Sequence, residues 1–193
     1  MKKLMMIAAF MVAALSANAQ NEVGQITLKP MAGINLSTIT SADNAKMKVG
    51  LVAGAEAEYG VAENFGVSLG ALYSMEGCKN GDVKFLMDYI NIPVLANYYV
   101  TKGLALKAGA QLGINVRHKA SDGDNSIDLN DLLKASDSKV QTINVSIPVG
   151  ASYEYENFVF DARYNIGLTK LFKNADKGRN STIMFTVGYK FAL

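Results

Sequence analysis

The sequence predicts an all-β fold, an eight-stranded antiparallel transmembrane up-and-down β-barrel. Three observations predict it. Period-two alternation runs through almost the whole chain after residue 20, and the connections alternate between short and long. Beyond the first twenty residues there is no apolar run of the roughly 20 residues that a spanning helix needs. Only helices and closed barrels satisfy every backbone group in hydrocarbon, so a chain of this kind that enters a bilayer enters it as a closed cylinder.

The first residues read as a targeting segment. Lys2 and Lys3 form a positive start, residues 4–15 an apolar stretch, and Ala17-Asn18-Ala19 a small-x-small cleavage site. The expected organisation is a signal peptide over 1–19 and one barrel domain over 20–193, with Gln20 as the new N-terminus. An uncleaved anchor is the alternative, but the apolar stretch is too short to span. Removing Lys2 and Lys3 from the 19 basic residues matches them to the 17 acidic ones. With no basic excess or stripe, no nucleic-acid partner is expected. Cys78 is the single cysteine, so an intrachain disulfide is impossible.

The clearest strand is 104–118, where Leu104, Leu106, Ala108, Ala110, Leu112, Ile114 and Val116 alternate with Ala105, Lys107, Gly109, Gln111, Gly113, Asn115 and Arg117. Seven further segments read the same way. Segment 26–37 sets Ile26, Leu28, Ala32, Ile34 and Leu36 against Thr27, Lys29, Gly33 and Asn35. In 48–59, Val49, Leu51, Ala53, Ala55, Ala57 and Tyr59 oppose Lys48, Gly50, Gly54, Glu56 and Glu58. Segment 65–76 opposes Phe65, Val67, Leu69, Ala71, Tyr73 and Met75 to Gly66, Ser68, Gly70, Ser74 and Glu76. Segment 85–99 is less regular, with Ile90, Ile92, Val94, Ala96 and Tyr98 opposite Asn91, Pro93, Leu95, Asn97 and Tyr99. Pro93 has no N–H to give, so a break or bulge is expected there. The last three segments, 143–154, 158–169 and 182–193, place Val145, Phe160 and Val187 on apolar faces, and Asn144, Asp161 and Lys190 opposite.

Connections 60–64, 100–103 and 154–157 are tight, whereas 38–47, 77–84, 119–139 and 171–180 are longer and rich in Asp, Asn, Ser, Lys and Gly. Transmembrane barrels show short turns at the periplasmic rim and long loops outside. The longest loop has room for a short helix over 126–135, although its polarity favours irregular surface structure.

Alternation alone does not say which face points outward, and a soluble lipocalin-like barrel would turn its apolar face in. The polar face holds Lys29, Glu56, Glu58, Lys107, Arg117, Asp161, Arg163 and Lys190 among many small residues, which suits a narrow interior where opposite charges pair. On the apolar face Tyr59, Phe65, Tyr73, Tyr98, Tyr153, Phe158 and Tyr189 lie near strand ends, as an interfacial girdle requires. The sides are therefore assigned with aliphatic residues on lipid and charges within.

Several short motifs carry a resemblance to a known family. They are Ala32-Gly33-Ile34-Asn35-Leu36-Ser37, Tyr73-Ser74 with Gly77, Tyr89-Ile90-Asn91-Ile92-Pro93, and Val187-Gly188-Tyr189-Lys190-Phe191. With Gln20 after the signal, the chain resembles the PorT-type, OmpA/OmpX-like small outer-membrane barrels of the Bacteroidota. The resemblance implies a Gram-negative outer membrane and this architecture, with function varied among members. Tyr189, Phe191 and Leu193 stand where such proteins carry their C-terminal insertion signal, although the last residue is Leu193 rather than Phe. Expected partners are outer-membrane lipid, the insertion machinery, and an extracellular or periplasmic protein.

No residue set points to a cofactor or a catalytic centre. His118, the single histidine, would need Ser121 or Ser74 as nucleophile for an outer-membrane lipid-modifying enzyme, and no orienting third group is in view. Asp122, Asp124, Asn125 and Asp128 lack the order of a calcium loop and read as a solvated acidic loop. The leading functional reading is a structural or adhesive barrel acting through its outer loops. A narrow pore is the alternative, disfavoured because eight strands enclose only enough room for side chains.

Overall fold

The computed structural model describes residues 23–40, 46–80, 83–122, 125–128, 141–170 and 178–193; the signal peptide expected over 1–19 lies outside them. In chain order the strands are β1 (Ile26–Thr40), β2 (Lys46–Ala62), β3 (Phe65–Asn80), β4 (Val83–Tyr99), β5 (Leu104–Asp122), β6 (Asn125–Asp128), β7 (Ile143–Tyr155), β8 (Phe158–Lys170), β9 (Arg179–Tyr189) and β10 (Phe191–Ala192). Each pairs antiparallel with its chain neighbour, except that β7 pairs β5 directly, β6 folds back on the outer end of β5, and β10 pairs β1 and not β9. The sheet closes where β1 meets β9 and β10, with Met31 opposite Gly188 and Thr27 opposite Ala192.

β9 and β10 are one stave in a single register against β1, interrupted at Lys190. That register sets Pro30 opposite Tyr189, and a proline gives the ladder no N–H. Counted this way, eight staves surround the interior.

The alternation resolves with apolar side chains outward. On β3, Leu69 is 57% exposed while Leu72, three residues on, is 1% exposed. The outer surface carries Ile34, Leu51, Val94, Leu106, Phe160 and Phe185, whereas the buried set is mostly polar. An exterior this apolar across the whole circumference far exceeds the patches that water-soluble surfaces tolerate, and matches hydrocarbon.

Several expectations are corrected. The segment 77–84, read as a long loop, is mostly ladder, because β3 continues to Asn80 and β4 begins at Val83. Alternation fades there because both faces meet polar surroundings, yet backbone pairing continues. Residues 126–128 belong to β6 rather than to a helix; 129–135 lie outside the described residues. At Pro93 the expected break is present and the bulge is not: pairing with β3 lapses beside it but resumes in unchanged register, and on its other side Pro93 stays opposite Gln111. The bulge lies further out, where Asp88 faces Arg117 but Tyr89 faces Asn115, leaving Val116 as the extra residue. A bulge puts two successive side chains on one side, and so Arg117 faces outward, not into the interior as predicted.

Gly70 shows how tightly the interior is filled. It sits opposite Glu56, and a Cβ built there would lie 2.7 Å from Glu56 Cγ and 3.1 Å from Pro93 Cγ. Gly70→Val should therefore destabilise the barrel by about 1–3 kcal/mol through overpacking. In detergent, the fast-migrating folded band on an unboiled gel should disappear at a lower incubation temperature than for the wild type; an unchanged midpoint would contradict this packing.

Candidate functional site

The interior is layered. In the half nearer the short turns, β1, β2, β5 and β8 bring five charges together. Lys29 Nζ lies 2.9 Å from Glu56 Oε2 and 3.8 Å from Asp161 Oδ2. Lys107 Nζ lies 2.8 Å from Asp161 Oδ2 and 4.0 Å from Glu56 Oε2. Arg163 donates to both carboxylates, through Nε to Asp161 Oδ1 at 2.6 Å and through Nη2 to Glu56 Oε2 at 2.9 Å, with a further bond from Nη1 to Glu56. All five side chains are buried. Three cations thus share two carboxylates in a buried space.

Next to this cluster, Lys190 Nζ lies 2.8 Å from Glu154 Oε2, and Tyr99 donates its hydroxyl to Glu58 Oε1 at 2.6 Å. The ammonium of Lys190 also stands 5.4 Å from the centre of the Tyr99 ring. With Glu58 and Glu154 included, four anions match the four cations Lys29, Lys107, Arg163 and Lys190. A cavity of about 10 Å³ remains among these side chains, at the lower margin for one water molecule.

Above the charges lies an apolar plug of Met31, Val52, Leu72 and Met184. The outer half is polar again. There Glu76 accepts from Asn91 Nδ2 at 2.9 Å and Thr182 Oγ1 at 3.3 Å, and also from Asn180; Lys48 donates to the Glu76 carbonyl at 3.1 Å, and Asn35 to Ser74 Oγ at 2.9 Å. His118 Nδ1 is 2.9 Å from Asn115 Oδ1.

Of the eight charges placed inside by sequence, seven have buried side chains within the barrel. Arg117 does not: its side chain is 44% exposed on the outer face, with Nη1 3.4 Å from Asp88 Oδ2. Sequence reading left Glu154, Tyr99 and Glu76 out of the interior network, although alternation puts each on the polar face. Asp88 and the inward apolar plug carried no such signal.

On the outer face, Tyr59, Phe65, Tyr98, Tyr153, Phe158 and Tyr189 all sit at the short-turn end of their strands. Phe65 is directly opposite Tyr98, and the Phe158 and Tyr189 rings meet edge-on at 5.2 Å. Tyr73 lies apart, nearer the long-loop rim, donating its hydroxyl to Asp88 at 2.7 Å. At the C-terminus, Tyr189 and Phe191 rings are 4.7 Å apart and Leu193 donates its N–H to Ile26.

A closed barrel of eight staves, apolar outside and filled with paired charges, defines a small membrane-spanning β-barrel. Residues 18–173 match the family model of the outer membrane protein beta-barrel domain, and the chain belongs to that family; its place is the outer membrane. The fold is similar to that of Ail, the attachment invasion locus protein of Yersinia pestis, at a TM-score of 0.52 and 19% identity, over 88% of this chain and 100% of that one. Neisserial surface protein A is similar at a TM-score of 0.55 and 16% identity, over 86% of this chain and 97% of that one. No curated relative matches the sequence.

The shared carboxylates give an order of stability to test. Glu56→Gln leaves Lys29, Lys107 and Arg163 against Asp161 alone, and should cost about 3–5 kcal/mol. Arg163→Met leaves two cations and two anions and should cost less. Urea unfolding in lipid vesicles reads the difference, and a reversed order would show that the guanidinium's hydrogen bonds outweigh charge balance.

Proposed function

We propose that this protein is a non-enzymatic outer-membrane barrel with a structural or adhesive role, exported by the signal peptide at 1–19 and acting through its long-loop rim. The observation that carries the reading is the contrast between the two rims. At one, two-residue turns such as 63–64 close the strands tightly; at the other, the staves continue well past the roughly 9–11 residues that crossing requires. β5 has 19 residues, and β6 pairs alongside its outer end. A raised, rigid wall suits presentation of loops to a protein partner. The likeness to Ail, whose name refers to attachment and invasion, agrees with it at the level of fold.

The filled interior supports this reading over a narrow pore. Side chains of Arg163, Glu56, Lys107 and Asp161 occupy the centre, and the apolar plug lies beyond them. The narrower likeness to PorT-type Bacteroidota barrels and recognition by the insertion machinery through Tyr189, Phe191 and Leu193 belong to the same proposal.

Trimming residues 119–139 to a short turn should spare heat-modifiable folding while abolishing adhesion of cells that display the protein. Full adhesion by the trimmed form would remove the loop hypothesis. In planar bilayers the purified protein should give no conductance above lipid alone, and discrete channel steps would favour the pore. N-terminal sequencing of protein from membranes should begin at Gln20.

A further inference from the structure

The outer face is chemically different at its two ends. On β5 the outward apolar residues run from Leu104 to Val116, roughly 30 Å along the membrane normal at ~3.3 Å per residue and ~40° tilt. That is about the hydrocarbon thickness. The outward residues that follow are Arg117 and Lys119. The same succession recurs on β8, where Lys170 follows Leu168, and on β9, where Arg179 lies beyond Ile183 and faces Lys170. At this rim Lys46 of β2 also stands opposite Lys79 of β3. At the other rim the charged residues in the short turns are Glu63, Lys102 and Glu156, one cation between two anions, and aromatic rings take the outward positions. Asp88 is an outward carboxylate at the long-loop end, and the register also sets Asp128 of β6 opposite Lys119.

Asp88 has a local task. Its carboxylate is 2% exposed, accepts the Tyr73 hydroxyl at 2.7 Å, and lies 3.4 Å from Arg117 Nη1. The bulge that turns Arg117 outward and the Tyr73–Asp88 pair that holds it together fix a half-exposed guanidinium at the upper edge of the apolar belt. Guanidinium is suited to paired hydrogen bonding with phosphate oxygens, and only part of its donor set faces Asp88.

We propose that this rim is a docking collar for phosphorylated headgroups of the outer-leaflet lipid, with Arg117 as its oriented phosphate ligand and Lys119, Lys170 and Arg179 as supporting cations. The inference rests on the outer-membrane reading, with the long loops outside. The occupant is lipid rather than free phosphate because the cations continue directly from the lipid-facing surface and sit where headgroups begin. Tyr73 and Asp88 are positioning residues.

The full-length protein, inserted in phosphatidylcholine vesicles, is titrated with a phosphorylated glycolipid, with the same glycolipid dephosphorylated, and with inorganic phosphate. The thermal unfolding midpoint is the readout. It should rise with the phosphorylated lipid alone, and less at high salt. In Arg117→Gln and Arg179→Gln, the lipid concentration at half-effect should increase by roughly fivefold per cation removed, while Lys102→Gln at the opposite rim leaves it unchanged. Asp88→Asn should weaken the effect although Arg117 is retained. Equal shifts with dephosphorylated lipid, or unchanged half-effects in both folded cation variants, would overturn the collar and leave the barrel intact. Failure of the wild type to insert would overturn both.

Discussion

Because hydrocarbon offers a peptide group no hydrogen-bond partner, β1 has to find β9 and β10 and the sheet has to close. Most other features follow from that closure. Eight staves enclose a space only as wide as side chains, so residues that alternate inward must fill it. Glycines such as Gly70 appear where a long neighbour like Glu56 crosses the centre. Outward positions have the opposite requirement, and aliphatic and aromatic side chains take them.

The interior is consequently a polar core inside an apolar shell, the reverse of a water-soluble domain. Burying Glu56, Asp161, Lys29, Lys107 and Arg163 is tolerable because each carboxylate serves more than one cation, and each cation finds at least one carboxylate within 2.9 Å. Isolated ion pairs of this burial cost more in desolvation than they return, so sharing matters. The Met31, Val52, Leu72 and Met184 layer then separates this cluster from the Glu76 network. Such a column is a brace between staves.

The sidedness of this barrel was legible because period two is a local property: Leu106 and Lys107 need no partner to show that they point apart. Which interior charges meet was not legible, since Lys107 reaches Asp161 across a register fixed by the closed sheet, not by either strand. Strand ends were misread where polar residues occupy both faces, as at 77–84. The fate of Arg117 depended on one extra residue at Val116, and a bulge leaves no mark in composition. Asp88 was overlooked for the same reason, because it shares the outer face with Tyr73 and Arg117, where alternation marks apolar residues and not carboxylates.

The interruption at Lys190 has a kinetic meaning. The stave pair that completes the cylinder joins residues from the two ends of the chain, Thr27 and Ala192, so its loop-closure entropy is the largest in the molecule. It is also the pair with a proline on one side and a gap on the other. The barrel therefore has a seam: every remaining junction can zip between sequence neighbours, while this one must wait for the C-terminal residues and is the last to close.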